Sequence, residues 1–332
     1  MRGIRITGCG IAVPDKIVTN DDLAASLDTS DSWIVERTGI RQRHIGGTTS
    51  GLAVEAGQAA LNDAGLAAAD IDHLILATTT PDAIIPGTAP TVQDALGITG
   101  GAFDLNAACS GFVYGIVTAS GLIAAGTGPI LLIGSETLSK VTDWDDRSLA
   151  VIVGDGAGAV VIEPVEGPGQ LLSWNLHSDG SLRHLLKCEH GGFLTMDGKE
   201  VFRKAVRAVV ESAEQAMADA GLGPDDISLL VPHQANLRII QAACQRLHIP
   251  EERAVSVIDR YGNTSSASIP LALHDALATG RVHEGDHLLL AGFGGGMTWA
   301  SAVLRWGALA PPPPQHPPSS SWRRGGPAAT AA

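Results

Sequence analysis

The chain contains a short pattern that occurs twice, in the same order and at a nearly constant offset. Residues 60–66 match residues 216–222, and both copies are typical of a helix that ends at a glycine. Residues 130–134 match residues 288–292, and both copies are typical of a buried strand. Each copy predicts a helix, a loop, an apolar strand, a second helix and a second apolar strand, which is the order of a layered α/β unit. Chance similarity in an alanine-rich chain is the alternative, but the collinear order favours a duplicated fold.

Length and composition indicate how the chain is divided into folded and disordered segments. It has 332 residues, of which 45% are apolar and 17% charged, as expected for a globular protein with a large core. The chain changes character after Trp306, where the proline-rich residues 311–318 run into three serines. Such a segment cannot bury a core. We therefore predict two related halves, residues 1–165 and 166–308, followed by a disordered tail, residues 309–332.

Charge and cysteine usage argue against several classes of protein. The net charge of -13 argues against general nucleic-acid binding. The four cysteines lie far apart and form no CxxC pair, so the sequence indicates neither a zinc site nor a disulfide framework. Residues 106–135 carry no charge, but Gly126-Thr127-Gly128-Pro129 interrupts them, which favours a buried helix and a buried strand over a membrane span. Because the first residues also lack a signal-peptide pattern, we expect a cytoplasmic protein with no metal and no membrane partner.

Cys109 is the strongest candidate for a reactive residue. It lies directly ahead of a long apolar helix pattern, within Ala107-Ala108-Cys109-Ser110-Gly111-Phe112. The positive end of the helix dipole and the unpaired N–H groups at a helix N-terminus favour a thiolate and can bind an oxyanion. On this segment alone, a small buried hydrophobic cysteine is an equally good interpretation.

Three later motifs supply groups that Cys109 lacks. His233 follows a strand-like run where a helix begins, and Asn263 lies in a turn before another helix, both at junctions where α/β folds gather their active sites. Taken singly, a structural histidine and a helix-capping asparagine are the alternatives. The glycines of residues 294–296 let the backbone approach a ligand and aim N–H groups at it, although a flexible loop has the same composition. The glycine-rich residues 154–158 lead into a strand instead of a helix, which argues against a dinucleotide site.

Taken together, these segments closely resemble the β-ketoacyl-acyl-carrier-protein synthase III family, the initiation condensing enzymes of the thiolase superfamily. The resemblance runs from the N-terminus to about Trp306. It rests on Asp31-Ser32-Trp33-Ile34, Arg37-Thr38-Gly39-Ile40, Ala108-Cys109-Ser110-Gly111-Phe112, Val231-Pro232-His233-Gln234-Ala235-Asn236, Gly262-Asn263-Thr264-Ser265 and Phe293-Gly294-Gly295-Gly296. The family fold implies an αβαβα sandwich of two related halves, in agreement with the internal repeat.

The resemblance also implies a reaction. Cys109 would take an acyl group from acyl-CoA, and His233 with Asn263 would help to decarboxylate malonyl-acyl-carrier protein, whose carbanion attacks the acyl-cysteine to give a β-ketoacyl product. A soft thiolate forms thioesters readily, and two hydrogen-bond donors can hold a developing enolate. The backbone N–H groups of Cys109 and Gly295 would form an oxyanion hole, with acyl-CoA as a substrate and no separate cofactor. Asn263 is similar to the residue of a decarboxylating synthase, whereas related hydroxymethylglutaryl-CoA synthases use a catalytic glutamate and biosynthetic thiolases use a second cysteine, and neither of these is evident in this chain.

Further residues are assigned to binding by the resemblance, although ordinary core aromatics and solvated charges are the alternatives for them. Trp33, Arg37 and Arg147 would lie beside the CoA nucleotide. The pantetheine tunnel would be lined by Phe202, Ala235 and Asn236. An acidic carrier protein would bind a basic patch made of Arg203, Arg238 and Arg246.

One position departs from the pattern of many family members. Ile85 stands where a bulky aromatic residue closes the acyl pocket across a homodimer, so we expect a homodimer that admits longer or branched acyl groups. The sequence does not separate fatty-acid initiation from starter-unit priming or acyl transfer in a specialised polyketide pathway. A non-catalytic scaffold with the thiolase fold is a further alternative, and the intact Cys109, His233 and Asn263 argue against it.

Overall fold

The structure is a computed structural model that describes residues 2–307. Its strands are β1 (Arg2–Ala12), β2 (Ile17–Thr19), β3 (Gln42–His44), β4 (His73–Ala77), β5 (Gly101–Leu105), β6 (Ile130–Thr137), β7 (Asp155–Glu166), β8 (Leu171–Ser178), β9 (Leu186–Cys188), β10 (Leu194–Met196), β11 (Leu229–Pro232), β12 (His287–Gly294) and β13 (Thr298–Arg305). Its α-helices are α1 (Asn20–Ala24), α2 (Asp31–Thr38), α3 (Thr49–Ala64), α4 (Thr88–Leu96), α5 (Gly111–Ala124), α6 (Arg147–Ala150), α7 (Gly198–Asp219), α8 (Leu237–Leu247), α9 (Ile258–Tyr261) and α10 (Ser268–Ala278).

Two mixed sheets form the centre of the molecule. The first has the order β1-β7-β6-β4-β5, with β6, β4 and β5 parallel and with β7 antiparallel to both β1 and β6. The second has the order β11-β12-β13-β8, with β11 and β12 parallel and the remaining pairs antiparallel. Two short two-stranded sheets, β2 with β3 and β9 with β10, lie outside these sheets.

Helices cover both sheets in layers. One core lies between the sheets, where α5 and α10 pack against apolar residues of both. Phe112, Ile116 and Ile123 of α5 are fully buried there, because a helix held between two sheets has to be apolar on most of its surface. A second core joins α3 and α4 to the first sheet, and a third joins α7 and α8 to the second. The predicted αβαβα fold is therefore confirmed.

The internal repeat of the sequence is also a repeat in structure. Gly65 follows α3 with a φ of 67°, and Gly221 follows α7 with a φ of 70°, a left-handed conformation that glycine adopts without a steric penalty. A single 3-10 turn comes next in each half, Ala68–Asp70 and Pro224–Asp226, and then a buried strand, β4 or β11. Local signals of this kind fix where each helix stops and each strand begins.

Several expectations from the sequence concern regions away from the site. The uncharged residues 106–135 contain the buried helix α5 and the start of the buried strand β6, as predicted. Within residues 2–307, no helix combines the length and the apolar character needed to cross a membrane. Residues 154–158 enter β7, as expected from the sequence. The division into halves at residue 165 stays a prediction, and the predicted tail, residues 309–332, lies outside the described residues.

Candidate active site

One cavity of about 320 Å³ is lined by residues from both parts of the chain. Cys109, His233 and Asn263, which are far apart in sequence, all line it. Much of the remaining wall is apolar, including Leu138, Val141, Leu149, Ile152, Leu186, Val201, Phe202, Ile239 and Phe293. A mostly apolar cavity with a few convergent polar groups is the usual form of a small-molecule site.

The backbone around Cys109 turns sharply before the helix begins. Cys109 lies in the 3-10 turn Ala108–Ser110, which connects β5 to α5. Ala108 has a φ of 49°, a left-handed conformation that is strained for a residue with a Cβ and that is often found at functional sites. The hydroxyls of Ser110 and Thr298 each lie 2.7 Å from the Ala107 carbonyl oxygen, so the turn is fastened to the first residue of β13.

The thiol of Cys109 is protonated at rest. Burial is the largest of the effects that together raise its pKa to about 12; the charge of Glu136 acts in the same direction, whereas hydrogen bonding by the Ser265 side chain and by the N–H of Cys109 lowers it. The N–H group at the helix N-terminus acts in the expected direction by lowering the pKa of the thiol, but the loss of solvation outweighs it. A thiolate has to form as the thiol reacts.

His233 is a buried, neutral imidazole. It directly follows β11, and its ring packs edge-on against Phe293 with 5.4 Å between the ring centroids. Burial lowers the pKa of His233 to about 3. Nδ1 lies 2.6 Å from Ser268 Oγ, which also accepts the Gln234 N–H at 3.2 Å, so the serine hydrogen is available to Nδ1. This arrangement favours a proton on Nε2, which can then donate to a ligand.

Asn263 is held against the first part of the chain. Its N–H donates to the Ile152 carbonyl at 2.8 Å, and its own carbonyl accepts the Gly154 N–H at 2.9 Å. Its side-chain Oδ1 accepts the Ser265 N–H at 2.9 Å, so Asn263 does cap a turn, as the alternative interpretation held. Because the oxygen is used in this way, the amide nitrogen is the group that can donate to a ligand in the cavity.

The glycine-rich residues 294–296 belong to a hairpin. β12 ends at Gly294, β13 begins at Thr298, and Gly295 lines the cavity together with Cys109. A Cβ at Gly294 would lie 2.4 Å from the Cys109 backbone nitrogen, so only glycine permits this approach. The hairpin is thus packed directly against the cysteine turn.

The residues expected beside the CoA nucleotide form a cluster outside the cavity wall. Two guanidinium groups contact the Trp33 ring, that of Arg37 at 4.4 Å and that of Arg147 at 4.8 Å from the ring centroid. Asn236 connects this cluster to the cavity, because its side-chain amide donates to the Arg37 carbonyl at 3.0 Å. The residues predicted along the pantetheine tunnel all line the cavity: Phe202, Ala235 and Asn236.

The three arginines predicted to form a basic patch are not equally placed. Arg238 lies over the Phe202 ring at 5.9 Å, next to the cavity. Arg203 pairs with Glu200 at 2.6 Å, on the exposed face of α7. Arg246 lies in the last turn of α8, at the opposite end of that helix from Arg238. The predicted patch is therefore spread along two helices.

Ile85 does not line the cavity of its own chain. Its side chain is 88% exposed, and that of its neighbour Ile84 is 75% exposed. The predicted contact between Ile85 and an acyl group therefore requires a second copy of the chain. This agrees with the expectation that Ile85 closes the acyl pocket of a second copy, which stays a prediction.

The sequence alone did not identify three polar residues near the site. Glu136 is fully buried, and its carboxylate accepts hydrogen bonds from the hydroxyls of Thr79, Thr80 and Ser266. Its only sequence signal is an acidic residue at the end of an apolar strand. The other two, Ser265 and Ser268, follow Asn263 within one short serine-rich segment and were not distinguished from the surrounding turn.

Two family models match the chain. The model described as 3-oxoacyl-[acyl-carrier-protein (ACP)] synthase III matches residues 103–180, and the model of its C-terminal part matches residues 217–306. A β-ketoacyl-[acyl-carrier-protein] synthase III of Rhodospirillum centenum is 50% identical over 317 residues, which cover 91% of this chain and 98% of the relative. The protein of the same name from Geobacillus kaustophilus is 48% identical over 311 residues, covering 92% and 99%.

Solved structures are similar over nearly the whole described chain. A 3-oxoacyl-[acyl-carrier-protein] synthase III from Aquifex aeolicus superposes with a TM-score of 0.89 at 43% identity and covers 92% of this chain and 100% of its own. The priming β-ketosynthase of the R1128 polyketide biosynthetic pathway superposes with a TM-score of 0.88 at 36% identity, covering 94% and 98%.

Proposed function

Since this chain belongs to the β-ketoacyl-acyl-carrier-protein synthase III family of the thiolase superfamily, we propose that Cys109, His233 and Asn263 carry out the family's reaction in it. The protein is a condensing acyltransferase of fatty-acid initiation, which joins an acyl group from acyl-CoA to malonyl-acyl-carrier protein. The observation that carries our assignment of residues is their convergence on one cavity.

In the first step, Cys109 takes the acyl group. Its sulfur attacks the thioester carbonyl of acyl-CoA, a new carbon–sulfur bond forms, and the bond to the CoA sulfur breaks. The thiol proton ends on the departing CoA thiolate. Backbone N–H groups of Cys109 and Gly295 hold the negative oxygen of the tetrahedral intermediate, where preorganised donors are most effective. The high pKa of Cys109 keeps the thiol protonated until a thioester arrives.

In the second step, His233 and Asn263 assist decarboxylation. The malonyl thioester carbonyl accepts hydrogen bonds from His233 Nε2–H and from the Asn263 amide nitrogen. As CO₂ leaves, negative charge develops on that oxygen, and the two donors stabilise it. The low pKa of His233 supports this role, because a neutral imidazole binds the enolate without giving up its proton.

In the third step, the carbanion attacks the acyl-cysteine. A carbon–carbon bond forms at the acyl carbonyl, the bond to Cys109 breaks, and the sulfur takes up a proton from solvent. The β-ketoacyl-carrier protein then leaves. Acyl-CoA is a substrate in this scheme, and the scheme includes no separate cofactor or metal.

The experiment that tests this function is an acylation assay with a panel of straight and branched acyl-CoAs. We expect intact-protein mass spectrometry to find one acyl adduct per chain, and peptide mapping to place it on Cys109. Failure of every donor to acylate the protein would overturn the proposal and favour the non-catalytic scaffold. The preferred chain length separates fatty-acid initiation from the priming of a specialised polyketide pathway, the activity named for one structural neighbour.

Gly294→Ala should slow the acylation of Cys109. The new Cβ would meet the Cys109 nitrogen at 2.4 Å, so the nucleophile and its N–H have to move. Because misplacement of reacting groups by even 1 Å is costly, we expect a loss of about tenfold or more in a single-turnover acylation assay. The matched control is Gly121→Ala in α5, where a Cβ meets nothing within 4 Å and the helix gains propensity. Equal acylation rates in both variants would contradict the close packing of hairpin and cysteine.

We propose separate groups of residues for binding the two substrates, acyl-CoA and the carrier protein. Trp33 with Arg37 and Arg147 would contact the nucleotide of acyl-CoA, because an aromatic ring with two guanidinium groups beside it suits the base and phosphates of a nucleotide. Phe202, Ala235 and Asn236 would line the path of the pantetheine arm. The exposed Arg203, Arg238 and Arg246 would attract an acidic carrier protein, opposing the charge of -13 on the whole chain.

We also propose that the protein forms a homodimer. β5 is an edge strand with β4 as its neighbour, and its Phe103 is 40% exposed. An exposed edge strand favours pairing with another strand, and the exposed Ile84 and Ile85 precede α4, which packs on β5. The cytoplasmic location expected from cysteine usage likewise remains a proposal.

Ile85→Phe should narrow the range of acyl groups. If Ile85 borders the acyl pocket of a second copy, a larger ring there excludes long and branched chains while admitting acetyl. We expect acylation by branched acyl-CoAs to fall about tenfold relative to acetyl-CoA, the scale at which a hydrophobic pocket discriminates small changes in size. Ile84→Phe, on the neighbouring exposed side chain, is the control. Unchanged preference in Ile85→Phe would remove this residue from the substrate site.

A further inference from the structure

Ser265 has a buried hydroxyl that makes no well-formed hydrogen bond within the described residues. The residue is 2% exposed, and its Oγ lies close enough to Cys109 for the Ser265 side chain to lower the pKa of that thiol, but not in the geometry of a full hydrogen bond. It lines the same cavity as Cys109. A buried hydroxyl without a full hydrogen bond lowers stability, and one that lines a cavity can gain its partner from a ligand or a reaction intermediate.

The backbone at Ser265 is strained as well. Its φ is 50°, a left-handed conformation that a residue with a Cβ rarely adopts. The N–H of Ser265 donates to Asn263 Oδ1 at 2.9 Å, which holds the residue in this conformation. Strain of this kind, maintained by surrounding contacts, is concentrated at functional sites. Glycine would be easier to accommodate at this position, and the chain nevertheless has a serine.

The cavity wall contains few groups that can act on the Cys109 sulfur. Its other titratable side chains are His233, which is neutral, and Lys187 and Cys188 of the β9–β10 hairpin. Behind the wall, the buried Glu136 disfavours a thiolate, whereas the Ser265 side chain favours one by lowering the pKa of Cys109. Ser265 is therefore the side chain that lowers the pKa of Cys109, whereas burial and Glu136 both raise it.

We propose that Ser265 is a catalytic residue of the acylation step, whose hydroxyl donates a hydrogen bond to the Cys109 sulfur while the sulfur carries negative charge. During acylation the S–H bond of Cys109 breaks, the sulfur–acyl bond forms, and the proton ends on the CoA sulfur. The Ser265 O–H bond stays intact, so the serine is neither a base nor a second nucleophile. The same hydrogen bond assists when Cys109 is expelled during condensation. This inference rests on the proposed role of Cys109.

Three variants test the inference. Ser265→Ala removes the hydroxyl and keeps the strain, whereas Ser265→Gly removes the hydroxyl and relieves the strain. Thr264→Val is the matched control, because the Thr264 hydroxyl is also buried without a partner in the described structure but does not line the cavity. Each is compared with the wild-type protein in three assays: single-turnover acylation by acetyl-CoA, alkylation by iodoacetamide resolved at Cys109 and Cys188 by peptide mapping, and decarboxylation of malonyl-carrier protein.

Both Ser265 variants should acylate about tenfold more slowly than the wild type, the effect of losing a hydrogen bond to a charged group. Alkylation of Cys109 should fall by about threefold, because the smaller thiolate fraction is partly offset by a more nucleophilic sulfur. Alkylation of the exposed Cys188 and the decarboxylation rate should not change. Thr264→Val should behave as the wild type in every assay.

Three results would overturn the inference. Wild-type acylation in either Ser265 variant would show that the hydroxyl is dispensable. Recovery in Ser265→Gly alone would assign the effect to backbone conformation. A parallel loss of decarboxylation would indicate a structural role. Failure of the proposed function is a distinct outcome: the wild type would accept no acyl group from any acyl-CoA, while iodoacetamide would still separate the variants.

Discussion

Replacing Cys109 with alanine should abolish acyl transfer from acyl-CoA. No other group in the proposed scheme forms the acyl-enzyme, and removal of a nucleophile typically costs about 10⁶-fold in turnover. We expect intact-protein mass spectrometry to find no acyl adduct on Cys109→Ala under conditions that fully load the wild type. The loss should not come from misfolding, because Cys109 lies in a turn at the cavity and not in one of the apolar cores.

Cys188 provides the sharpest control for this experiment. It is an exposed thiol that lines part of the same cavity, and no role is assigned to it. Cys188→Ala should load normally, and the adduct should map to Cys109. An acyl group that persists on Cys109→Ala and maps to Cys188 would move the nucleophile to the β9–β10 hairpin and refute the assignment.

Asn263→Ala should separate the two half-reactions. Loss of one preorganised donor to a developing oxyanion costs about 10²- to 10³-fold, so the decarboxylation of malonyl-carrier protein should fall by that amount. Acylation of Cys109 should be retained, because the oxyanion of that step is held by backbone N–H groups. Release of labelled CO₂ measures the first rate, and mass spectrometry of the acyl-enzyme measures the second.

Asn263→Asp distinguishes loss of the donor from loss of the turn. An aspartate keeps the oxygen that accepts the Ser265 N–H, but it has no amide nitrogen to donate. It should therefore decarboxylate as poorly as the alanine variant while the turn remains intact. If both variants lost acylation and decarboxylation to the same degree, Asn263 would be a structural residue and the division of labour would fail.

The fold was largely predictable because its signals are local and occur twice. The glycines that end α3 and α7 and the apolar strands that follow them can be located from a few neighbouring residues. The order of these elements then leaves few possible architectures, because parallel strands joined through helices have to be covered on both faces. The resemblance to a known family then decided which of the layered α/β folds the chain adopts.

The electrostatic state of the site was not predictable in the same way. The position of Cys109 before a helix favours a thiolate, but its pKa also depends on burial and on Ser265 and Glu136, which come from two distant parts of the chain. Sequence spacing does not predict contacts between distant segments. Glu136 at the end of β6 meets Thr80, which follows β4, and Ser266, which follows Asn263, only in the folded protein. The expected contact of Ile85 with the acyl pocket of a second copy stays a prediction, because the environment of this exposed residue depends on that copy.

The anchoring of Asn263 to Ile152 and Gly154 has a consequence for the biosynthesis of the protein. A ribosome releases the first sheet and the nucleophile long before it releases the imidazole and the amide. An unfinished chain therefore holds neither the amide in place nor the cysteine turn, because that turn is fastened by Thr298 of β13. Catalytic competence thus requires that segments as late as β13 have been made and have docked onto the early ones.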